Sequence, residues 1–188
     1  DLVISLAYVV TLGAIGSLQD KVVKQIPKAF SDLGPTYVKF GQIIASSPGA
    51  FGEQLSKEFR TLLDAVPPAD TAEVHKLFKD ELGADPAELF ATFDDEPFAS
   101  ASIAQVHFAT LHTGEDVVVK IQRPGIRRRV AADLQILKRF AQAVELAKLG
   151  RRLSAQDVVA DFSDNLAEEL DFRLEAQSMD AWISHLQN

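Results

Sequence analysis

Residues 97–125 read PFASASIAQVHFATLHTGEDVVVKIQRPG, and this stretch decides the fold. It predicts three short strands: one that ends near Ala99, a second over Ile103–Leu111 and a third over Val117–Ile121. Gly114 can take a positive φ and marks the turn between the last two strands. Pro124 ends the third strand because proline cannot donate to a strand ladder. The sequence therefore predicts a small antiparallel sheet.

A single lysine, Lys120, interrupts the apolar third strand. Burying a lysine alone is costly, so this position predicts an anionic partner. Protein kinases use such a lysine to hold nucleotide phosphates under a glycine-rich loop that joins the first two strands. Here Ala99–Val106 matches the pattern G-x-G-x-x-G-x-V with alanine at each glycine position. The alternative interpretation is an ordinary hairpin whose edge lysine reaches into solvent.

Composition limits the function classes. The 188 residues are 47% hydrophobic and 24% charged, which is typical of a globular chain. A net charge of −8 argues against a broad nucleic-acid interface. The absence of cysteine excludes disulfides, thiolate zinc sites and cysteine nucleophiles. The four histidines have no partners at metal-ligand spacing, so we expect structural or exposed roles for them. Because residue 1 is Asp, we expect a fragment or a processed product.

Two segments could contact a membrane or a partner. Leu2–Leu18 has no charged residue and, at 17 residues, lies at the short limit of a membrane span. We expect a buried or partner-facing helix there, with a membrane-contacting helix as the alternative. Arg127–Arg129 forms a basic cluster that could meet phosphate, lipid headgroups or acidic protein, or simply be solvated.

The rest of the chain is predicted to be helical. Tyr37–Ser46 reads as a helix that carries Lys39, Gly41 and Gln42. Glycine inside a helix costs up to about 1 kcal/mol relative to alanine, so Gly41 suggests close approach by another backbone. We expect Thr71 to cap the helix that ends at Gly83. The further predicted helices are Lys21–Phe30, Glu53–Leu63, Ala72–Leu82, Pro86–Phe90, Arg127–Leu149 and Ser154–Leu186.

Acidic residues cluster in the last predicted helix, where 166–176 read LAEELDFRLEA. On one continuous helix Asp171 and Glu175 share a face with Glu168, while Glu169 points to roughly the opposite side. Glu175 is the predicted partner of Lys120. A solvated acidic face is the alternative. Metal binding needs more oxygen ligands than this cluster offers, so no metal site is predicted within the chain.

Three motifs in this order resemble the UbiB family of atypical kinase-like proteins, which is linked to ubiquinone and other isoprenoid-lipid metabolism. They are Lys39-Phe-Gly-Gln42, the alanine-rich loop with Val117-Val-Val-Lys120, and Glu169-Leu-Asp171 with Glu175. The resemblance covers roughly Leu33 to the last residue. It implies an α+β fold, mostly helical with a small antiparallel sheet: an atypical kinase-like N-lobe behind an N-terminal helical extension. The implied parts are 1–32 as an apolar and amphipathic segment, 33–93 as the extension, and 94–188 as the N-lobe.

The resemblance also implies the roles of the site residues. Lys120, the strand lysine, would hold the α- and β-phosphates, and Glu175, the helix glutamate, would pair with Lys120 and orient it. Lys39 and Gln42 would lie over the position of a protein substrate, with Glu169 and Asp171 engaging Lys39. The loop residues would bind nucleotide: Ala99, Ser100, Ala101, Ser102 and Ala104. The family usually has alanine where this chain has Ser100, a change from which we expect little effect.

At the level of function, the resemblance implies an ATPase or phosphotransferase that uses ATP or ADP with Mg²⁺. It would support quinone or isoprenoid-lipid metabolism at the cytoplasmic face of a bacterial membrane. Nucleotide, a membrane lipid or quinone precursor, and quinone-biosynthesis proteins are the implied partners, and nucleic acid is not. The catalytic lobe would follow residue 188, so the enzyme assignment holds for the family rather than for these residues alone. The alternatives are a non-catalytic lipid-binding or scaffolding module and a conventional protein kinase, which the alanine-rich loop disfavours.

Overall fold

The computed structural model describes residues 16–63, 67–146 and 154–186. Helices dominate these residues, and a four-stranded antiparallel sheet lies in the middle of the sequence, which confirms the predicted fold class. The described residues belong to two compact units, one that ends at Val130 and one that begins at Ala131.

The helices and strands of the described residues follow one another in the order given below. The helices are α1 (Gly16–Leu33), α2 (Pro35–Ser46), α3 (Pro48–Phe51), α4 (Glu53–Phe59), α5 (Thr71–Leu82), α6 (Pro86–Leu89), α7 (Ile126–Leu146), α8 (Ala155–Glu169) and α9 (Phe172–Leu186). A 3-10 turn, Arg60–Leu63, extends α4. The strands are β1 (Thr92–Phe93), β2 (Ala99–Ser100), β3 (Ala104–Thr110) and β4 (Asp116–Gln122).

The first helices pack around buried aromatic rings. The ring of Phe59 is fully buried and meets the ring of Phe30 edge to face, with centroids 4.9 Å apart. Gly41 of α2 faces this cluster: a β-carbon there would lie 2.7 Å from Cδ1 of Phe59 and 2.6 Å from Cδ1 of Leu62. The close approach predicted at Gly41 is therefore made by side chains and not by another backbone.

Strand β3 is the centre of the sheet and pairs with β1, β2 and β4, all antiparallel. One face is closed: Gln105, His107 and Ala109 are buried, and Ile121 of β4 joins Val74 and Phe78 of α5 in a core. The other face is open. Although β4 is a continuous apolar run with one lysine, only Ile121 of that strand is buried and alternate residues point outward.

The last predicted helix is wrong as a single helix, because it breaks between α8 and α9. Leu170 and Asp171 lie outside both helices, and the Asp171 carboxylate accepts a hydrogen bond of 3.1 Å from the backbone N–H of Arg173. A carboxylate in this position caps the first turn of a new helix. The common face predicted for Glu168, Asp171 and Glu175 required a continuous helix, so that geometry is corrected. The start of α8 is confirmed, since Ser154 Oγ accepts from the backbone N–H of Asp157.

Most of the other predicted helix ends are close to the observed ones, but α1 extends beyond the predicted Lys21–Phe30 at both ends, and the predicted end at Leu149 lies outside the described residues. Asp70, not Thr71, caps α5, because its carboxylate accepts a 2.8 Å hydrogen bond from the backbone N–H of Ala72. The helix ends at Gly83, which takes a φ of 74°. The apolar stretch Leu2–Leu18 lies almost entirely outside the described residues. Within the described ranges, no helix is both long and apolar enough to cross a membrane.

Candidate functional site

Lys120 lies on the open face of the sheet, where its side chain is exposed. It pairs across the strands with Val106, and the next outward pair along the sheet is Phe108 with Val118. The ring of Phe98 stacks on Phe108 with centroids 4.2 Å apart. Phe98, Phe108 and Val118 are 53%, 50% and 60% exposed. A cationic group therefore borders an apolar surface formed by these outward-facing residues.

The alanine-rich loop connects β2 to β3 next to this surface. Ala99 pairs with Val106, which in turn pairs with Lys120, so the loop begins in the same row of the sheet as the lysine. Within the loop the backbone N–H of Ala101 donates to the carbonyl of Ala104 at 2.8 Å. Ser102 and Ala104 are buried. The amide of Ala101 is thus already used inside the turn, and a phosphate near the loop would depend more on the lysine than on that amide.

Arg123, which follows β4, holds the same loop. Its Nε donates to the carbonyl of Ala101 at 2.9 Å, and its Nη2 donates to Ser100 Oγ at 2.8 Å and to the carbonyl of Pro67 at 2.6 Å. Burial lowers the pKa of the Arg123 guanidinium. Sequence reasoning missed this residue because an arginine before Pro-Gly reads as a polar strand end. Alanine in place of Ser100 could not accept one of these hydrogen bonds.

A buried polar chain runs beneath the closed face of the sheet. The backbone N–H of Ala69 donates to Gln105 Oε1 at 2.8 Å, and Gln105 Nε2 lies 2.8 Å from His107 Nε2. His107 Nδ1 lies 2.7 Å from the carbonyl of Asp94. Every polar atom has a partner if Nδ1 carries the proton and Nε2 accepts from the amide. His107 therefore has a structural role.

The predicted motif on α2 presents its two polar residues on the outer side of the helix. Lys39 and Gln42 are half-buried, whereas Gly41 between them is buried against the helices. The helix follows Gly34, whose φ is 111°, and Arg129 Nη2 donates to the carbonyl of Leu33 at 3.0 Å. Arg129 of the basic cluster is therefore used within the molecule, at the start of the motif helix.

The predicted carboxylates belong to the second unit. Asp171 binds Arg173 in a bidentate ion pair, with Nε to Oδ1 and Nη2 to Oδ2 both at 2.8 Å. Hydrogen bonding to Asp171 raises the pKa of Arg173. Glu169 is exposed at the end of α8, and Glu175 is half-buried in the first turn of α9. The pairing of Glu175 with Lys120 and that of Lys39 with Glu169 and Asp171 stay predictions.

One histidine forms a second polar cluster, at the edge of α5. His75 Nε2 lies 2.6 Å from Asp95 Oδ1, and its Nδ1 lies 3.3 Å from Asp85 Oδ1. The hydrogen bond to Asp95, opposed in part by burial and aided by Asp85, raises the pKa of His75. Among the described residues no three His, Asp or Glu side chains are placed to hold a metal ion.

Comparison with known proteins identifies the family. A family model described as the ABC1 atypical kinase-like domain matches residues 61–188, about two thirds of the chain. A probable protein kinase UbiB from Azotobacter vinelandii is 45% identical over 149 residues, which cover 79% of this chain and 28% of that protein. The chain belongs to the UbiB family of atypical kinase-like proteins. The resemblance stated from its motifs is confirmed.

Two further proteins are similar to this chain. An uncharacterized protein of Mycobacterium tuberculosis strain H37Rv is 82% identical over 171 residues, 91% of this chain and 35% of that protein. The chain thus spans about a third of the length of its curated relatives. A solved structure of another Mycobacterium tuberculosis protein, in complex with erythromycin, aligns with a TM-score of 0.48 at 27% identity, covering 92% of this chain and 38% of that one.

Proposed function

We propose that the open face of the sheet binds a nucleotide and that the whole protein is a kinase-like ATPase or phosphotransferase. The observation that carries this proposal is the row Ala99–Val106–Lys120, in which the alanine-rich loop and a lysine flank an exposed apolar surface. A planar base suits an apolar surface, and an ammonium group suits phosphate. UbiB-family membership supports the same assignment.

Each residue of the site has a separate task in this proposal. Lys120 neutralises phosphate charge, and Glu175 orients its ammonium group. Ala99–Ala104 covers the nucleotide, and the β-carbons of Ala99, Ala101 and Ala104 limit how closely backbone amides approach the phosphates. ATP would supply the transferable phosphoryl group, and ADP would be the product that remains after transfer. Mg²⁺ would be the counter-ion of either nucleotide. We propose that the metal ligands come from the part of the relatives that extends beyond these residues.

The α2 motif and the second-unit carboxylates are proposed to close the site and restrict protein substrates. Lys39 and Gln42 would lie over the nucleotide region, with Glu169 and Asp171 binding Lys39. Since Asp171 is held by Arg173 on both oxygens, an interaction with Lys39 has to share or replace that ion pair.

For the cellular setting we propose support of quinone or isoprenoid-lipid metabolism at the cytoplasmic face of a bacterial membrane. The support is family membership, since several bacterial relatives are named probable protein kinase UbiB. A membrane lipid or quinone precursor and quinone-biosynthesis proteins are the proposed partners.

The test is nucleotide binding by the full-length protein that contains this chain. We expect Mg²⁺ with ATP or ADP to raise its melting temperature, since ligand at 100 times Kd stabilises the native state by about 2.7 kcal/mol. Lys120→Met should abolish the shift. Lys76→Met, at an exposed position on α5, is the matched control and should keep it. An equal shift in Lys120→Met and in the wild type would refute the site.

The lipid-binding module is the alternative function, and the described residues lend it little support. Arg129 bonds the carbonyl of Leu33 and Arg127 Nε bonds Gln122 Oε1, so two of the three clustered arginines are used internally. Co-sedimentation with anionic vesicles tests it. Binding that is lost on deletion of residues 1–18 or in Arg128→Glu, in a protein that binds no nucleotide, would favour the alternative.

A further inference from the structure

The guanidinium of Arg123 joins the alanine-rich loop to the segment that precedes α5. Its hydrogen bonds to the carbonyls of Ala101 and Pro67 and to Ser100 Oγ are called the Arg123 contacts. The backbone N–H of Arg123 also donates to the carbonyl of Ile103 at 3.0 Å. Both the main chain and the side chain of one residue therefore hold the loop.

A second side chain ties the same two regions together. Gln105 is the second residue of β3, which follows the loop, and its Oε1 accepts from the backbone N–H of Ala69 at 2.8 Å. Pro67 is thus bonded to Arg123, which also holds Ser100 and Ala101 of the loop, and Ala69 is bonded to Gln105, which follows the loop. With both ends of the turn attached to residues 67–69, the loop cannot lift from the sheet without breaking these hydrogen bonds.

The chemistry of arginine explains why this attachment is stable. A guanidinium offers five N–H donors in a fixed plane and stays charged, so it can serve several oxygens at once. Hydrogen bonds from a charged donor are about twice as strong as neutral ones. Arg123 is half-buried, so the contacts are partly shielded from water, and its loss would leave two loop oxygens without their donor.

We propose that Arg123 is a positioning residue that fixes the alanine-rich loop in one place before nucleotide binds. The proposal rests on the proposed nucleotide site at Lys120. A glycine-rich loop lacks β-carbons and so lets its backbone amides approach phosphate closely. This loop carries β-carbons and is held by an arginine three residues after the lysine. The Arg123 contacts thereby set the distance between the loop and any phosphate on Lys120, and so the affinity for nucleotide.

Amide hydrogen exchange on the nucleotide-free, full-length protein tests the attachment directly. In Arg123→Met we expect the amides of residues 99–104 to exchange about tenfold faster, with α2 and α5 unchanged. Arg123→Lys should give an intermediate rate, because an ammonium cannot reach all three oxygens. Ser100→Ala should show a smaller increase. The matched control is Arg128→Met, at an exposed position on α7. Unchanged loop exchange, or an increase spread equally over the protein, would overturn the proposal.

Nucleotide titration then tests the consequence. We expect Arg123→Met to raise Kd for ATP and ADP about tenfold and Arg123→Lys to recover part of the affinity. Loss of binding in Lys120→Met together with wild-type Kd in Arg123→Met would overturn the positioning role alone. Wild-type binding in Lys120→Met would overturn the nucleotide site itself, while loop exchange still decides whether Arg123 holds the loop.

Discussion

Gly41→Ala should destabilise the protein even though alanine is the better helix former. The new β-carbon would lie 2.6 Å from Cδ1 of Leu62 and 2.7 and 2.9 Å from two ring carbons of Phe59. These atoms would have to retreat by about 0.8 Å to reach ordinary van der Waals contact. The ring of Phe59 has no space to do so, because it is fully buried and packed edge to face against Phe30.

Two opposing contributions give the expected magnitude. Overpacking a core costs about 1–3 kcal/mol, and replacing a helical glycine by alanine gains up to about 1 kcal/mol. We therefore expect the free energy of unfolding, measured by urea denaturation, to fall by about 1 kcal/mol, within a range of roughly 0–2 kcal/mol. The same displacement would move the flanking residues Lys39 and Gln42, so nucleotide affinity is a useful second measurement.

Gly49→Ala is the matched control for this prediction. Gly49 also lies in a helix, but it is exposed and a β-carbon there would meet nothing within 4 Å. Its replacement should leave the stability unchanged or raise it by a few tenths of a kcal/mol, roughly. If Gly41→Ala proves as stable as Gly49→Ala, the packing explanation for the glycine in this motif is refuted.

Three further predictions concern single contacts. Ser56→Ala should lower the free energy of unfolding by about 1–2 kcal/mol, because the buried hydroxyl donates at 2.7 Å to the carbonyl of Ile44; an unchanged urea midpoint would contradict this. His75 has a raised pKa in the folded state, so its contribution to stability is complete below the unfolded pKa of about 6.5 and is lost as pH rises through the folded pKa. The free energy of unfolding, measured by denaturation at several pH values, should therefore fall less with rising pH in His75→Gln than in the wild type. An equal fall in both proteins would exclude the role of Asp95. Gly34→Ala should lower the melting temperature, because the φ of 111° at this position and a clash with the Arg129 guanidinium both oppose a side chain. An unchanged melting temperature in this variant would show that the turn relaxes.

Local patterns in the sequence were sufficient to predict the hairpin and most helices. The alternation along 104–110 and the turn at Gly114 specify the pairing of β3 with β4, and the observed strands differ from the predicted ones by one residue at each end. The position of Lys120 in a strand was also correct. Which face of that strand is covered could not be predicted, because a run of valines does not distinguish the two faces.

The features that sequence reasoning missed depend on contacts between distant residues. Arg123 bonds a carbonyl 56 positions earlier in the chain, and no local spacing indicates such a partner. The break at Leu170–Asp171 was hidden because the leucine spacing continues through it, while the decisive signal was the capping carboxylate of Asp171 two residues before Arg173. Motif resemblance gave the family, whereas the contacts that hold the motifs required three-dimensional structure.

The open sheet face also affects how these molecules behave toward one another in solution. Phe98, Phe108 and Val118 form an apolar surface that would pair readily with the same surface on a second copy. The net charge of −8 opposes such pairing at low ionic strength by mutual repulsion. Salt shortens the Debye length to about 3 Å at 1 M and removes that repulsion. The colloidal stability of this chain therefore depends on its acidic surface, and light scattering should increase with salt rather than decrease.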